Sequence, residues 1–338
     1  MKAATLSAPG GLDHIRIRDI DDPGMPGPGQ IRVAIHATSL NFHDLIVASG
    51  QSPTEDGRLL MSDGAGVVEA IGDGVTDFAV GDHVVSCFFP QWPAGPATTP
   101  VGGFAQTPGD GVDGMAADAV VRDAAAFTRA PAGWSHAEAA TLTTAGLTAW
   151  RALVHDGGLK AGDTVLTLGT GGVSIAAIQI ARLMGATVIV TSSSDDKLER
   201  ARTLGATHTI NYTTHPEWAG KVLELTGGEG ADHVIELGGP GTLAQSIEAV
   251  RVGGHISLIG VLTGLQGEVP TATLMRKQVR LQGLIVGNRQ MQKAYIAALE
   301  ASDVRPVIDR TYDGLETLAD AFAYQQSADH LGKICVTW

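Results

Sequence analysis

Along the chain the spacing of apolar positions changes once. Up to about residue 125 the apolar runs are short, at 31–35, 66–71 and 83–89. The pairs Pro26-Gly27-Pro28-Gly29, Asp73-Gly74 and Gly81-Asp82 separate them. Short runs bounded by Gly, Pro and Asp read as strands joined by tight turns, so this part is expected to be a compact all-β unit. Residues 91–114, rich in Pro, Gly, Ala and Thr, show neither a strand nor a helix period. They form a long excursion that either covers a substrate cleft or lies as an inert surface loop.

After Pro131 the pattern is helical over 135–150 and then alternates. Strands are expected at 164–168, 187–191, 209–211, 233–237 and 255–259. Helices fall between them at 173–184, 195–204, 222–226 and 243–251, and Gly185 and Gly205 stop the first two. Such alternation builds a parallel sheet with helices on both faces, a doubly wound α/β domain. A last strand at 280–286 is expected at the sheet edge, where unpaired N–H and C=O groups invite a second chain. The preceding 261–275 mixes apolar and small residues with few charges, a composition suited to a partly buried contact.

Between the first strand and first helix of this domain lies Leu168-Gly169-Thr170-Gly171-Gly172-Val173-Ser174. Gly169 permits a tight turn, and Gly171 and Gly172 lack the Cβ that would hold a pyrophosphate off the backbone. The helix opening near Val173 turns its free N–H groups toward that phosphate. Ser174 replaces the usual third glycine and is small enough for close helix–strand packing. In this context the turn reads as a dinucleotide site.

The second strand ends in Ser192-Ser193-Ser194, with no carboxylate to accept from the adenosine ribose of NAD and with Lys197 just beyond. Hydroxyls and an ammonium suit a 2′-phosphate, which favours NADP(H) and leaves NAD(H) possible; the competing reading is a solvated serine loop. Asp195 and Asp196 read as the cap and first turn of the next helix.

The totals mainly exclude. A chain of 338 residues points to two domains. Thirty-six acidic against 23 basic side chains, a net charge of −13, repel nucleic acid and anionic lipid. No signal-peptide core precedes Pro9 and Gly10, and no apolar stretch is long enough to span a membrane, so a soluble cytoplasmic protein is expected. Cys87 and Cys335, the only two cysteines, are expected to be buried free thiols.

These residues carry a resemblance over almost the whole chain. It rests on Leu40-Asn41-Phe42-His43-Asp44, Ser62-Asp63-Gly64-Ala65-Gly66-Val67-Val68, Gly81-Asp82-His83-Val84-Val85 and Thr144-Ala145-Gly146-Leu147-Thr148-Ala149-Trp150. The glycine turn, Ser194-Asp195-Asp196-Lys197 with Leu204-Gly205-Ala206, and Gly332-Lys333 extend it. The chain resembles the medium-chain dehydrogenase/reductase superfamily, in its zinc-independent quinone-oxidoreductase and alcohol-dehydrogenase-like branch. The resemblance implies a GroES-like β-barrel catalytic domain (1–128 and 288–338) and a Rossmann domain (129–287). It also implies Tyr212 beside the 2′-phosphate, Gly260-Val261 and Gly287-Asn288 bordering the nicotinamide, and a homodimer with Rossmann sheets joined edge to edge.

Positions that match the zinc ligands of metal-bearing relatives carry Asn41, Ser62 and Thr144, three neutral side chains, and no four-cysteine lobe is present. A metal-free mechanism is expected, with the Asn41 carboxamide and Thr144 hydroxyl as donors to the developing alkoxide. The competing reading has both side chains merely satisfying backbone. Asp44 reads as an acceptor fixing the loop around Asn41, with Asp63 in a similar part, and His43 is placed near the cleft. The leading function is interconversion of a small alcohol and its aldehyde or ketone. Reduction of quinones or α,β-enones is the runner-up, and a non-catalytic NADP(H)-binding sensor or structural protein is the alternative of another class.

Overall fold

A computed structural model describes residues 1–338. The chain divides into two units, Met1–Leu147 with Val286–Trp338, and Thr148–Ile285.

In the first unit, β1 (Lys2–Leu6) pairs antiparallel with β2 (Ile15–Asp19). The long β3 (Gln30–Ser39) buries every second residue, Ile31, Val33 and Ile35 among them, as alternation in a half-buried strand requires. Then follow α1 (Phe42–Ala48), β4 (Arg58–Leu59), β5 (Ala65–Ile71), β6 (His83–Ser86), α2 (Thr99–Gly102), β7 (Ala119–Asp123), β8 (Phe127–Arg129) and α3 (His136–Ala140). The expected run at 83–89 thus ends as a strand at Ser86. Residues 142–146 form a wide π turn, so the helical stretch expected over 135–150 is broken where Thr143 and Thr144 lie.

In the second unit, after α4 (Leu147–Trp150), β9 (Thr164–Leu168), α5 (Gly172–Leu183), β10 (Thr187–Ser192), α6 (Asp195–Leu204), β11 (His208–Asn211) and α7 (Trp218–Leu225) alternate as the pattern demands. The rhythm continues through β12 (Ala231–Glu236), α8 (Pro240–Ala249), β13 (Val250–Leu258), α9 (Thr271–Arg276) and β14 (Arg280–Gly283). The six strands pair in parallel in the order β11-β10-β9-β12-β13-β14. This is the order of dinucleotide-binding sheets, whose ligand crevice lies beyond the carboxyl ends where the winding reverses, between β9 and β12. The core under this sheet includes Leu166, Ile189, Val222, Val234, Ile247 and Ile256.

The chain then returns to the first unit as α10 (Arg289–Glu300), β15 (Ile308–Asp313), α11 (Leu318–Gln326) and β16 (Lys333–Thr337). β16 pairs antiparallel with β3 and parallel with β15, completing a sheet of order β15-β16-β3-β5-β6-β8 with β7 also on β3. Phe322, Leu318, Ile334 and Val336 pack with Leu45, Val47, Leu60 and Met61 in one core. Ile31, Val33, Val68, Val84, Met115 and Phe127 fill another. The unit boundary falls at Leu147 instead of residue 128, because α3 belongs to this sheet: Ala139 and Ala140 pack against Ala37 of β3 and Ala65 of β5. Small side chains on both sides allow that close seating. Cys87 and Cys335 are free and buried.

Gly66 marks the tightest approach in the sheet: a Cβ there would stand 1.8 Å from the Ala34 carbonyl oxygen of β3. Gly66→Ala must push β5 from β3, and a loss of about 2 kcal/mol or more in unfolding free energy is expected from urea titration.

Candidate active site

Two clusters stand out, one in each unit. In the dinucleotide unit, β9 ends at Leu168 and the chain turns through Gly169 at φ +76°, a left-handed conformation that favours glycine. Nothing lies within 4 Å of where a Cβ would stand on Gly169 or on Gly171, so the backbone here faces open space. Gly171 is the N-cap of α5 and has no side chain to satisfy the N–H groups of Gly172 and Val173 in the first turn. Thr170 is buried beside them. Ser174 is buried and its Oγ donates to the Leu168 carbonyl at 2.8 Å, stitching helix to strand where the third glycine is replaced. The opening and its N–H groups fit a pyrophosphate.

At the end of β10, Ser192 is buried and its Oγ accepts from the Ser194 N–H at 3.3 Å, so this hydroxyl supports the turn. Ser193 and Tyr212 are exposed. Ser194 caps α6 by accepting from the Lys197 N–H at 3.3 Å. Asp195, in the first turn of α6, accepts from Asn211 Nδ2 at 2.8 Å, which places its carboxylate beside Asn211, the strand neighbour of Ser192 at the end of β10. Gly260 sits where a Cβ would meet the Leu237 carbonyl oxygen at 2.2 Å, and Val261 after it is 38% exposed.

A residue the sequence reading missed holds this edge. Glu236, at the end of β12, is fully buried, and its carboxylate accepts from the Gly238 and Gly239 N–H groups at 2.8 and 3.0 Å. The hydroxyls of Thr242 and Ser246 donate to it as well. It fixes the entry to α8, and its only signal in the sequence is an acid closing an apolar strand. Gly287 and Asn288 fall in the other unit. Asn288 caps α10, accepting from the Met291 N–H at 2.8 Å and donating to the Gly95 carbonyl at 3.2 Å.

In the β-rich unit the polar cluster centres on Asp63, which has no exposure. Ser39 Oγ donates to Oδ2 at 2.5 Å, Asn41 Nδ2 to Oδ2 at 2.8 Å, and Thr144 Oγ1 to Oδ1 at 2.6 Å. Asp44 accepts from the Asn41 N–H at 3.0 Å, from Asn41 Nδ2 at 3.0 Å and from the Ser62 N–H at 2.8 Å, which fixes the loop around Asn41. Lys333, the first residue of β16, reaches in and donates to Asn41 Oδ1 and the Leu40 carbonyl, each at 2.5 Å; its Nζ is 3.8 Å from Asp63 Oδ2. Burial pushes the Asp63 carboxyl up from 3.8 to about 6; the Asp44 charge adds to that, while Lys333 and the donors from Ser39 and Thr144 pull the other way.

Both ends of the Asn41 carboxamide are therefore engaged, and the residue is 7% exposed. This differs from the expectation that Asn41 itself donates to a substrate oxygen: its N–H groups are spent on Asp44 and Asp63, and its part is to orient them. Thr144, on the wide turn, is the partly exposed member, and its proton points to Asp63. Lys333 was not foreseen as part of the site. A lysine opening an otherwise apolar strand is the trace it leaves, but its partner lies 292 residues away.

His43, in the first turn of α1, places Nε2 3.1 Å from Asp110 Oδ2 and its ring against Phe88 and Phe104. Asp110 and Phe104 belong to the 91–114 excursion, so that segment is anchored on its own unit. Trp92 and Pro93 extend the anchoring by accepting the N–H groups of Arg289 and Gln290.

The donor set at Asn41, Ser62 and Thr144 does not fit a zinc ion. It offers an amide oxygen already taken by an ammonium and two hydroxyls, with no thiolate or imidazole among them. No group of three or more His, Cys, Asp or Glu side chains is arranged to hold a metal. Burial pushes both cysteine thiols up to about 12, away from thiolate.

Comparisons with known proteins agree with this architecture. Residues 27–132 match the alcohol dehydrogenase GroES-like domain, and 172–301 match the zinc-binding dehydrogenase family. A zinc-type alcohol dehydrogenase-like protein of Schizosaccharomyces pombe is 40% identical over 96% of this chain and 95% of its own. The crystal structure of an NAD-dependent alcohol dehydrogenase superposes with a TM-score of 0.90 at 34% identity, covering 100% of both chains. A quinone oxidoreductase of Pseudomonas syringae pv. tomato does so at 0.83 and 30%, covering 100% of this chain and 99% of that one.

Gly171→Val should abolish dinucleotide binding with little change in stability, since the added side chain fills empty space that only the ligand uses. Calorimetric titration with NADPH, alongside a thermal melt, checks both halves.

Proposed function

Since this chain belongs to the medium-chain dehydrogenase/reductase superfamily, we propose that it is a cytoplasmic, metal-free oxidoreductase interconverting a small alcohol and its aldehyde or ketone with NADP(H). The observation that carries the reading is the open glycine cradle after β9, at the winding reversal of a six-stranded parallel sheet. When bound there, a reduced nicotinamide supplies hydride to the carbonyl carbon. Gly169, Gly171 and the first turn of α5 hold its pyrophosphate. Gly260 and Val261 of the same unit would border the reacting ring.

Preference for NADP(H) over NAD(H) rests on the end of β10. Exposed Ser193 and Tyr212, with Lys197 in the first turn of α6, offer donors and charge to a 2′-phosphate, and the Asp195 carboxylate nearby is engaged by Asn211. The Asp63 cluster supplies what the acceptor oxygen needs, with Thr144 as the group that touches substrate. Similarity to a quinone oxidoreductase favours a second reading, reduction of quinones or α,β-enones.

The second unit also favours a homodimer. β14 ends the sheet order, and in the segment that precedes it Leu262, Leu265 and Met275 are 61%, 88% and 72% exposed. An open strand edge and exposed apolar side chains in one unit are features that suit association with a second copy.

Three measurements test these points. Steady-state rates with an aldehyde, an alcohol, a 1,4-quinone and an enone are expected to favour the aldehyde–alcohol pair; turnover confined to the quinone or enone supports the second reading. Lys197→Ala should weaken NADPH by roughly tenfold and leave NADH nearly unchanged, at fixed ionic strength. Light scattering at micromolar concentration should give twice the 34.9 kDa chain mass, and a species at that mass throughout refutes the dimer.

A further inference from the structure

The Asp63 cluster is built like a proton store. Asp44, Asp63 and Lys333 are buried, at 3%, 0% and 5% exposure. With all three ionised, two carboxylates face one ammonium, so the buried cluster is one proton short of neutrality. A further titratable group against it is the Cys335 thiol, which burial keeps neutral.

The two carboxyls are not equivalent as proton carriers. Asp44 accepts only from N–H groups, two of them backbone, and these donors cannot reverse direction. Asp63 accepts from the hydroxyls of Ser39 and Thr144, which can act as donors or acceptors. Ser39 is buried, so Thr144 is the hydroxyl partner that reaches the surface of the cluster.

Thr144 has one proton. When Asp63 is ionised, that proton points inward to Oδ1 at 2.6 Å and is not free for a ligand. When Asp63 is protonated, its O–H donates to Thr144 Oγ1 and the threonine proton turns outward. The state of Asp63 therefore decides whether the unit presents a donor.

We propose that Asp63 is the proton store for carbonyl reduction, delivering its proton through the Thr144 hydroxyl to the acceptor oxygen, with Lys333 holding the carboxylate left behind. This rests on the oxidoreductase reading above. As hydride adds to the carbonyl carbon, the C=O π pair moves to oxygen. The Thr144 Oγ1–H bond breaks toward that oxygen while the Asp63 O–H bond breaks toward Oγ1. The products are the alcohol, an intact Thr144 and the Asp63 carboxylate, which takes a proton from water before the next turnover. Alcohol oxidation runs the same steps backward and needs Asp63 ionised at the start. Burial, which raises the Asp63 carboxyl above its ordinary range, keeps the proton available under milder conditions than a surface aspartate would.

The test begins without cofactor. Infrared pH titration of the unliganded protein should show a protonated-carboxyl C=O band that is lost in Asp63→Asn and persists to higher pH in Lys333→Met, where the balancing cation is gone. In the complete enzyme, Thr144→Val should keep its affinity for NADPH but lose about 10²-fold or more in reductive kcat, and Thr144→Ser should recover most of it. Reductive kcat should fall as pH rises through the titration of Asp63, and that fall should vanish in Asp63→Asn. A carboxyl band unaffected by Asp63→Asn, or full kcat in Thr144→Val, overturns the relay while leaving the oxidoreductase reading in place. Failure of the wild-type protein to turn over any member of the substrate panel overturns both.

Discussion

An ammonium in a protein interior must replace its hydration with oxygen ligands, and Lys333 does this with two neutral ones, the Leu40 carbonyl and Asn41 Oδ1. That choice fixes the cluster around it. With its oxygen committed to Lys333, the Asn41 carboxamide can only turn its N–H groups toward Asp44 and Asp63. Asp44 is then locked by N–H donors on both oxygens, while Asp63 takes one amide N–H and the two hydroxyls of Ser39 and Thr144. Because Lys333 opens β16, the strand that pairs with β3, the charge network also ties the returning C-terminal segment to the first helix of the unit. Removing the ammonium would leave a buried amide oxygen unpaired beside two carboxylates, a costlier state than an empty apolar pocket.

The dinucleotide unit uses a buried carboxylate differently. Glu236 also lacks solvent, but its donors are two adjacent backbone N–H groups and two hydroxyls from the opening turns of α8. Such an arrangement rigidifies a loop, since three of the four donors lie within six residues of the acceptor. Asp44 does the same for the start of α1. Asp63 draws donors from residues 22, 24 and 81 positions away, so it joins β3, α1 and the wide turn. Glu236 and Asp44, held mostly by donors within six residues, set backbone; Asp63, all of whose donors are distant, sits where chemistry is proposed.

What could be read from the sequence follows the range of each signal. The bounds of α6 are the expected 195–204 because both ends are written locally: Ser194 caps the start, and Gly205 takes φ +118° at the finish. β9 and β10 with the glycine turn between them were legible for the same reason, each being an apolar run with a stop signal beside it, whereas the last strand, expected over 280–286, ends at Gly283. The place of residues 129–147 was not legible, because α3 is held by alanines packing on alanines of distant strands, and that leaves no periodic trace. The π turn at 142–146 was hidden inside a helical composition. At the site, the polar identities of Asn41 and Thr144 were visible, but their direction was not. Which way an amide or a hydroxyl points depends on Lys333 and Asp63, far away in sequence.

The same dependence separates this centre from one built on a metal. A dication beside an acceptor oxygen stabilises developing negative charge through its field, whatever the surrounding acids hold. Here the nearest fixed cation is a single ammonium shared with two carboxylates, so the field at the cluster's surface is negative while both acids are ionised. Hydroxyl and amide donors cannot reverse that sign; they can only distribute protons already present. On the proposed reading, a carbonyl reduced here would need a proton that arrives with the electron pair, and the buried acid whose hydroxyl partners can reverse is the group suited to hold it. The replacement of thiolate and imidazole by amide and hydroxyl at Asn41, Ser62 and Thr144 is therefore more than the loss of a ligand set. On the proposed reading it changes the kind of stabilisation on offer from charge to proton, and would make Asp63 and Lys333 part of the reaction's energetics.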